Sequence, residues 1–324
     1  MAYGNKLNNQ LIQVFRHDRP TTKKKEKRSM NSNQKNNSAY IPFIRFSRVL
    51  GIVALSVLGG LNLYAASAAK PVLEKRGTKT EIEPAYNLAI DAKRKASMSK
   101  EEAAWEKVLE ENLGSFYLPG YKNEKSAGRE TAWDYVKDDP TLPRVLVIGD
   151  SISRGYTLPV RHALKGKVNL HRAPANCGKL SYGIKSLDVW LGDTSNKWDV
   201  ITFNFGIHDR KTPDSTYTNE LKTIVAKLQA TGAKLIWVNT TPVPKGAGEY
   251  VEGNSERVNK LSGEIMAALN IPVVDLYSKV KDIPSEHKIT NNCHFRDGGY
   301  EILGAEVAAK IMAVLSEPPK PAGK

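Results

Sequence analysis

A chain of 324 residues, 40% of them hydrophobic, has apolar material for one sizeable domain with additions, and two cysteines, Cys177 and Cys293, exclude a disulfide scaffold. The formal charge of +14 suggests a polyanion binder until it is divided: residues 1–69 hold eleven Lys/Arg against Asp18 and Glu26, which is +9, and the other 255 residues carry +5. Basicity belongs mainly to the leader, so it gives no ground for a nucleic-acid function and says little about a substrate.

Residues 1–48 are rich in Asn, Lys and Arg and read as a solvated, disordered leader, a better account of "KKKEKR" than nucleic-acid binding. Residues 49–69, "VLGIVALSVLGGLNLYAASAA", carry no charge and follow Arg45 and Arg48, which places the N-terminus in the cytoplasm. The apolar core and the "ASA" at 66–68 fit a signal peptide, which we favour over a membrane anchor, although the stretch is long enough to span a bilayer. Met30 is an alternative start for the unusually long leader. Both readings export the remainder, with a membrane tether through 49–69 as the second.

Residues 70–140 read as a helical accessory segment packed against the main domain. "SKEEAAWEKVLEENLG" begins with Ser99 at an N-cap, has Glu102 three residues on and closes at Gly114. "FYLPGY" and "ETAWDYVKDDPTLPR" follow, aromatic and punctuated by proline.

Over 141–317 short β-branched runs alternate with helical stretches. "RVLVI" precedes a helix near 157–165, and "VNLHR" one near 180–191. "WDVITFNF" precedes "TYTNELKTIVAKLQATG", "KLIWVNT" a helix near 255–269, and "IPVVDL" the terminal "GGYEILGAEVAAKIMAVL". The alternation predicts a five-stranded parallel sheet with helices on both faces, followed by a disordered tail at 318–324. Ligands of such sheets bind at the carboxyl ends of the strands, and every notable residue falls there. Gly149-Asp150-Ser151 ends the first run, at a strand-to-helix turn whose amides could stabilise developing negative charge. "APANCGKLSYG" follows the second, "FNFGIHD" ends the third, and "NNCHFRDGGY" precedes the last helix. Dinucleotide and phosphate-loop glycine patterns are missing, as is metal-ligand spacing, so we expect neither cofactor nor metal.

The order and spacing of these four clusters resemble the SGNH, or GDSL-type, hydrolases, over roughly 144–315. The resemblance implies a flavodoxin-like three-layer α/β/α fold and a serine esterase. It implies Ser151 as the nucleophile, His294 as the base, and the amides of Ser151 and Gly178 as oxyanion donors, with Gly183 as the fallback for Gly178. Two clusters depart from the family pattern. Gly206-Ile207-His208-Asp209 has His208 where the family has an oxyanion-binding Asn, and a ring nitrogen can still donate. Asn291 stands where the family's acid orients the histidine; an amide oxygen accepts the imidazole N–H but cannot stabilise imidazolium by charge. Asp297 reads as a helix cap rather than a substitute acid.

Arg154, Asp209 and Arg210 are expected at the substrate rim, with His171 and Arg172 adding cationic character, and the two cysteines as pocket-lining thiols. The substrate implied is a small-molecule or polysaccharide acyl ester, with a carbohydrate acetyl ester favoured. The competing expectation is a carbohydrate-binding protein that kept the cleft and lost turnover through Asn291.

Overall fold

The computed structural model describes residues 87–192 and 197–318, all within one compact unit. The expectations for the leader, for the apolar run at 49–69 and for the end of the tail lie outside the described residues.

Five parallel strands form one sheet: β1 Arg144–Ile148, β2 Asn169–Arg172, β3 Val200–Phe203, β4 Lys234–Val238 and β5 Val273–Val274, in the order β2-β1-β3-β4-β5. This is the flavodoxin-like order, and the chain changes direction across the sheet between β1 and β3. Strand residues alternate between two cores because successive side chains point to opposite faces. Leu146, Ile148, Ile201, Phe203, Leu235 and Trp237 meet α5 Leu180–Leu191, α6 Asp214–Gln229 and α7 Asn254–Ala268. Val145, Val147, Val200, Ile236 and Val238 face α4 Ser151–Ala163 and α9 Asp297–Ser316. Each fully buried aliphatic chain contributes roughly 1.5–3 kcal/mol.

Three elements differ from the sequence expectation, each for a local reason. α4 begins at Ser151 rather than near 157, because the Asp150 side chain accepts the Ile152 N–H at 2.9 Å and starts the helix at once. Gly155 reads in the sequence as a turn residue but is a contact residue; a methyl there would collide with the ring of Tyr300 on α9. Gly304 plays the reciprocal part, since a Cβ would lie 2.7 Å from Cβ of Pro159. β5 keeps only two of the six residues of "IPVVDL": Pro272 can only accept, as it does from Trp237 N, and Asp275 caps the short helix α8 Leu276–Lys279.

"FYLPGY" is the third difference. It lies inside α3 Gly114–Ser126, with Pro119 in the helix interior, where it forgoes one backbone bond. Packing offsets that loss: Leu109, Leu113, Tyr121 and Trp133 form a small core flanked by Trp105, Tyr117 and Leu118. α1 Leu88–Ala96 and α2 Lys100–Asn112 complete this segment, α2 opening on a capping box between Ser99 and Glu102. Arg161 of α4 ties the segment to the sheet domain, donating to the carbonyls of Thr131 and Ala132 at 3.1 Å each.

Candidate active site

β1 delivers Ser151 to the carboxyl edge of the sheet, and the loop before α9 returns His294 to the same place. Ser151 Oγ lies 2.7 Å from His294 Nε2. The serine occupies the first turn of α4, only 8% exposed, where the helix N-terminal amides favour negative charge.

The histidine is oriented by Asn292. Its Oδ1 accepts the backbone N–H of His294 at 2.9 Å and lies 2.7 Å from His294 Nδ1. A backbone N–H only donates, so the atom facing it is the amide oxygen, and Nδ1 must then carry the proton that points at this oxygen. That leaves Nε2 bare to accept the serine hydroxyl hydrogen. One asparagine thus closes an Asx turn and sets the tautomer that a general base needs.

This corrects the expectation for Asn291. That residue takes left-handed backbone (φ 53°), and its amide packs against Gly246, where a Cβ would lie 2.8 Å from Asn291 Cγ. The reversal of the chain at Asn291 brings the side chain two positions before His294 to Nδ1. An asparagine two residues ahead of a loop histidine, able to form an Asx turn, was the legible signal.

The oxyanion candidates lie on the loops after β2 and β3. Cys177 N donates to Gly149 O at 3.2 Å, pinning the second loop beside the nucleophile turn, and Gly178 takes φ 59°, a left-handed conformation that a side chain would strain. Gly183 lies inside α5 with its N–H bonded to Lys179 O at 3.0 Å, which removes the fallback. His208 sits half-buried in the 3-10 turn Ile207–Asp209 after β3, followed by Arg210, also half-buried.

Four of the residues expected at the rim are engaged elsewhere. Asp209 is fully buried, its carboxylate accepting Leu180 N at 3.1 Å and the Thr212 hydroxyl at 2.9 Å; it fastens the third loop to the start of α5. Burial pushes its carboxyl above the ordinary range. Arg172 is likewise interior. Its guanidinium donates to Gly149 O at 2.9 Å, Asp150 O at 3.0 Å and Ser153 Oγ at 2.7 Å, a strut behind the serine. His171 pairs with Asp138 at 2.6 Å instead of facing the serine. Arg154 turns toward the accessory segment, its guanidinium 5.5 Å from the Tyr117 ring and 5.8 Å from that of Trp133.

Both cysteines are free and buried, and burial pushes each thiol up to about 12. At neutral pH both stay protonated, so neither offers a thiolate. Cys293 Sγ lies 3.6 Å from His294 Nδ1 and 3.7 Å from Glu249.

A parallel α/β/α sheet with a serine at a helix N-terminus, in contact with an oriented histidine, defines the class: a serine hydrolase built on the flavodoxin-like frame. Residues 147–302 match the GDSL-like lipase/acylhydrolase family, so the chain carries a domain of that family, a hydrolase of ester bonds. No curated protein matches the sequence. Among solved structures it is similar to the lipase/acylhydrolase from Enterococcus faecalis, at 23% identity and a TM-score of 0.48 over 56% of this chain and 100% of that one. It is also similar to a member of the lipolytic G-D-S-L family from Veillonella parvula, at 18% identity and a TM-score of 0.44 over 52% and 98%. A third neighbour is an acetyl xylan esterase, at 16% identity and a TM-score of 0.43 over 52% and 99%. At such identities these likenesses concern shape, and the substrate is read from the site alone.

Proposed function

We propose that the protein is a serine esterase that removes short acyl groups, acetyl foremost, from carbohydrate hydroxyls. The 2.7 Å contact between Ser151 Oγ and His294 Nε2, with Nδ1 held by Asn292, carries this reading. Ser151 attacks the acyl carbonyl while Nε2 takes its proton. The amides of Ser151 and Gly178, with the His208 ring, hold the oxyanion. The imidazolium then protonates the departing sugar oxygen, leaving an acyl-serine, and the same histidine activates the water that releases the acid. Asn292 beside the histidine, with His208 and Arg210 in the turn after β3, offers polar groups at the carboxyl edge of the sheet, which suit a polyhydroxylated alcohol better than a lipid.

A fluorophosphonate probe should label the wild type and leave Ser151→Ala unlabelled, and the wild type should release acetate from acetylated oligosaccharides. Equal labelling of both proteins rejects the assignment. The neutral amide at Asn292 favours one competing reading, a carbohydrate binder with little turnover. That reading expects saccharide binding with no acetate release, and no gain from Asn292→Asp.

A further inference from the structure

Two cavities lie away from Ser151, on the side where the accessory segment meets β1, β2 and the end of α5. The larger, about 290 Å³, is lined by Trp105, Tyr135, Arg144, His171, Trp198 and their neighbours. The smaller, about 200 Å³, lies among α1, α2 and α3. Trp105, Asp134 and Tyr135 line both, so the two adjoin across a shared aromatic wall and make up a two-chambered groove.

The chemistry of the walls narrows the ligand. Trp105, Tyr135 and Trp198 are each half-buried. Two of these rings are fixed by their own N–H groups: Trp105 Nε1 donates to Trp133 O at 2.7 Å and Trp198 Nε1 to Leu191 O at 2.9 Å, and the Arg144 guanidinium already covers one face of Trp198, 4.0 Å from the ring centroid. Such rings are platforms set before any ligand arrives, at little cost in side-chain entropy. The charges are matched internally. Arg94 pairs with Glu106 at 2.7 Å, Lys125 with Asp134 at 2.9 Å, and Arg144 with Asp138 at 2.7 Å. A polyanion or polycation would therefore find no surplus countercharge. The paired side chains still present hydrogen-bonding edges, and Asp134 and Asp138 have oxygens able to accept hydroxyl donors.

We infer that this groove binds a neutral oligosaccharide, its sugar rings lying on Trp105 and Tyr135, beside the Arg144–Trp198 stack, and its hydroxyls bonded by the paired charges. The inference rests on the carbohydrate reading and deepens it. On this view the accessory segment holds the polymer while an ester elsewhere on the same chain reaches Ser151. Arg172 lines the groove and also braces the nucleophile turn, so the groove ends against the wall of the active site.

The test uses full-length Ser151→Ala, which cannot turn over, titrated with xylohexaose, cellohexaose and hexagalacturonate by calorimetry and tryptophan fluorescence. At least one neutral hexamer should bind, at least about tenfold more tightly than the anionic one, with Trp105→Ala and Tyr135→Ala each weakening it by about tenfold. Melting curves establish that the variants are folded, and Trp105→Phe, with its smaller ring, replaces Trp105→Ala if that one is not. Absence of binding by both neutral hexamers, preference for hexagalacturonate, or unchanged affinity in the folded variants overturns the inference. Acetate release by the wild type is measured in parallel. Release without hexamer binding rejects the groove and leaves the esterase standing; binding without release does the reverse.

Discussion

The two halves of the Ser151–His294 pair are held by opposite means. The serine turn is braced from inside: a buried guanidinium, Arg172, grips the carbonyls of Gly149 and Asp150, and Asp150 caps the helix that follows. The histidine loop is held from outside, by an exposed Asx turn in which a single side-chain oxygen serves both the backbone and the ring. A nucleophile must stand still against a developing charge, so its support lies in the core, where an unmet polar group is expensive. A base must turn between two proton partners, and a local turn at the surface leaves it that freedom.

The largest effect should come from the held residue itself. Ser151→Ala should lower kcat on p-nitrophenyl acetate by roughly 10⁴-fold or more, read by steady-state kinetics, with its melting temperature nearly unchanged. The outer support comes next: Asn292→Ala should cost about 10²- to 10³-fold in kcat by freeing the tautomer, whereas Asn291→Ala should cost less than about tenfold. Equal losses at the two positions would break the contrast between inner and outer support. The inner support should show itself differently. Arg172→Met removes one donor from each of two buried carbonyls, which keep Cys177 N, Arg154 N and the Ser153 hydroxyl as partners, and should lower stability by about 1–3 kcal/mol in urea unfolding, together with a fall in kcat at unchanged KM. Asn292→Asp sharpens the comparison from the other side: a carboxylate beside Nδ1 stabilises imidazolium, for a gain in kcat of roughly tenfold. The smallest effect is chemical. With both thiols raised to about 12 by burial, they stay protonated at pH 8, and iodoacetamide should leave Cys177 and Cys293 unmodified in the folded protein by mass spectrometry.

The frame of the sheet is legible in the sequence because parallel strands are buried on both faces and read as apolar runs between amphipathic helices. The Ser151–His294 pair is legible through the family resemblance that the clusters at the strand ends carry. What escapes is decided by contacts across the chain. Arginine is usually solvated, so Arg172 reads as a rim charge, and only the carbonyls arriving from β1 make it a core residue. Asp209 reads as ligand-facing, yet the amide of Leu180, twenty-nine residues away, occupies its carboxylate. The resemblance to the GDSL-type family points to Asn291, and one left-handed backbone angle moves the contact to its neighbour. Gly155 reads as a breaker because its partner, Tyr300, lies on another helix.

That last contact reaches further than packing. The helix carrying the hydroxyl at its tip and the helix that starts just after the imidazole touch through bare backbone at Gly155 and Gly304. Their separation fixes the gap across which a proton must hop. A methyl added at either place would act as a wedge between two rods, parting the reacting atoms while leaving every one of them intact. The tolerances of the chemistry are thus set at glycines that take no part in it.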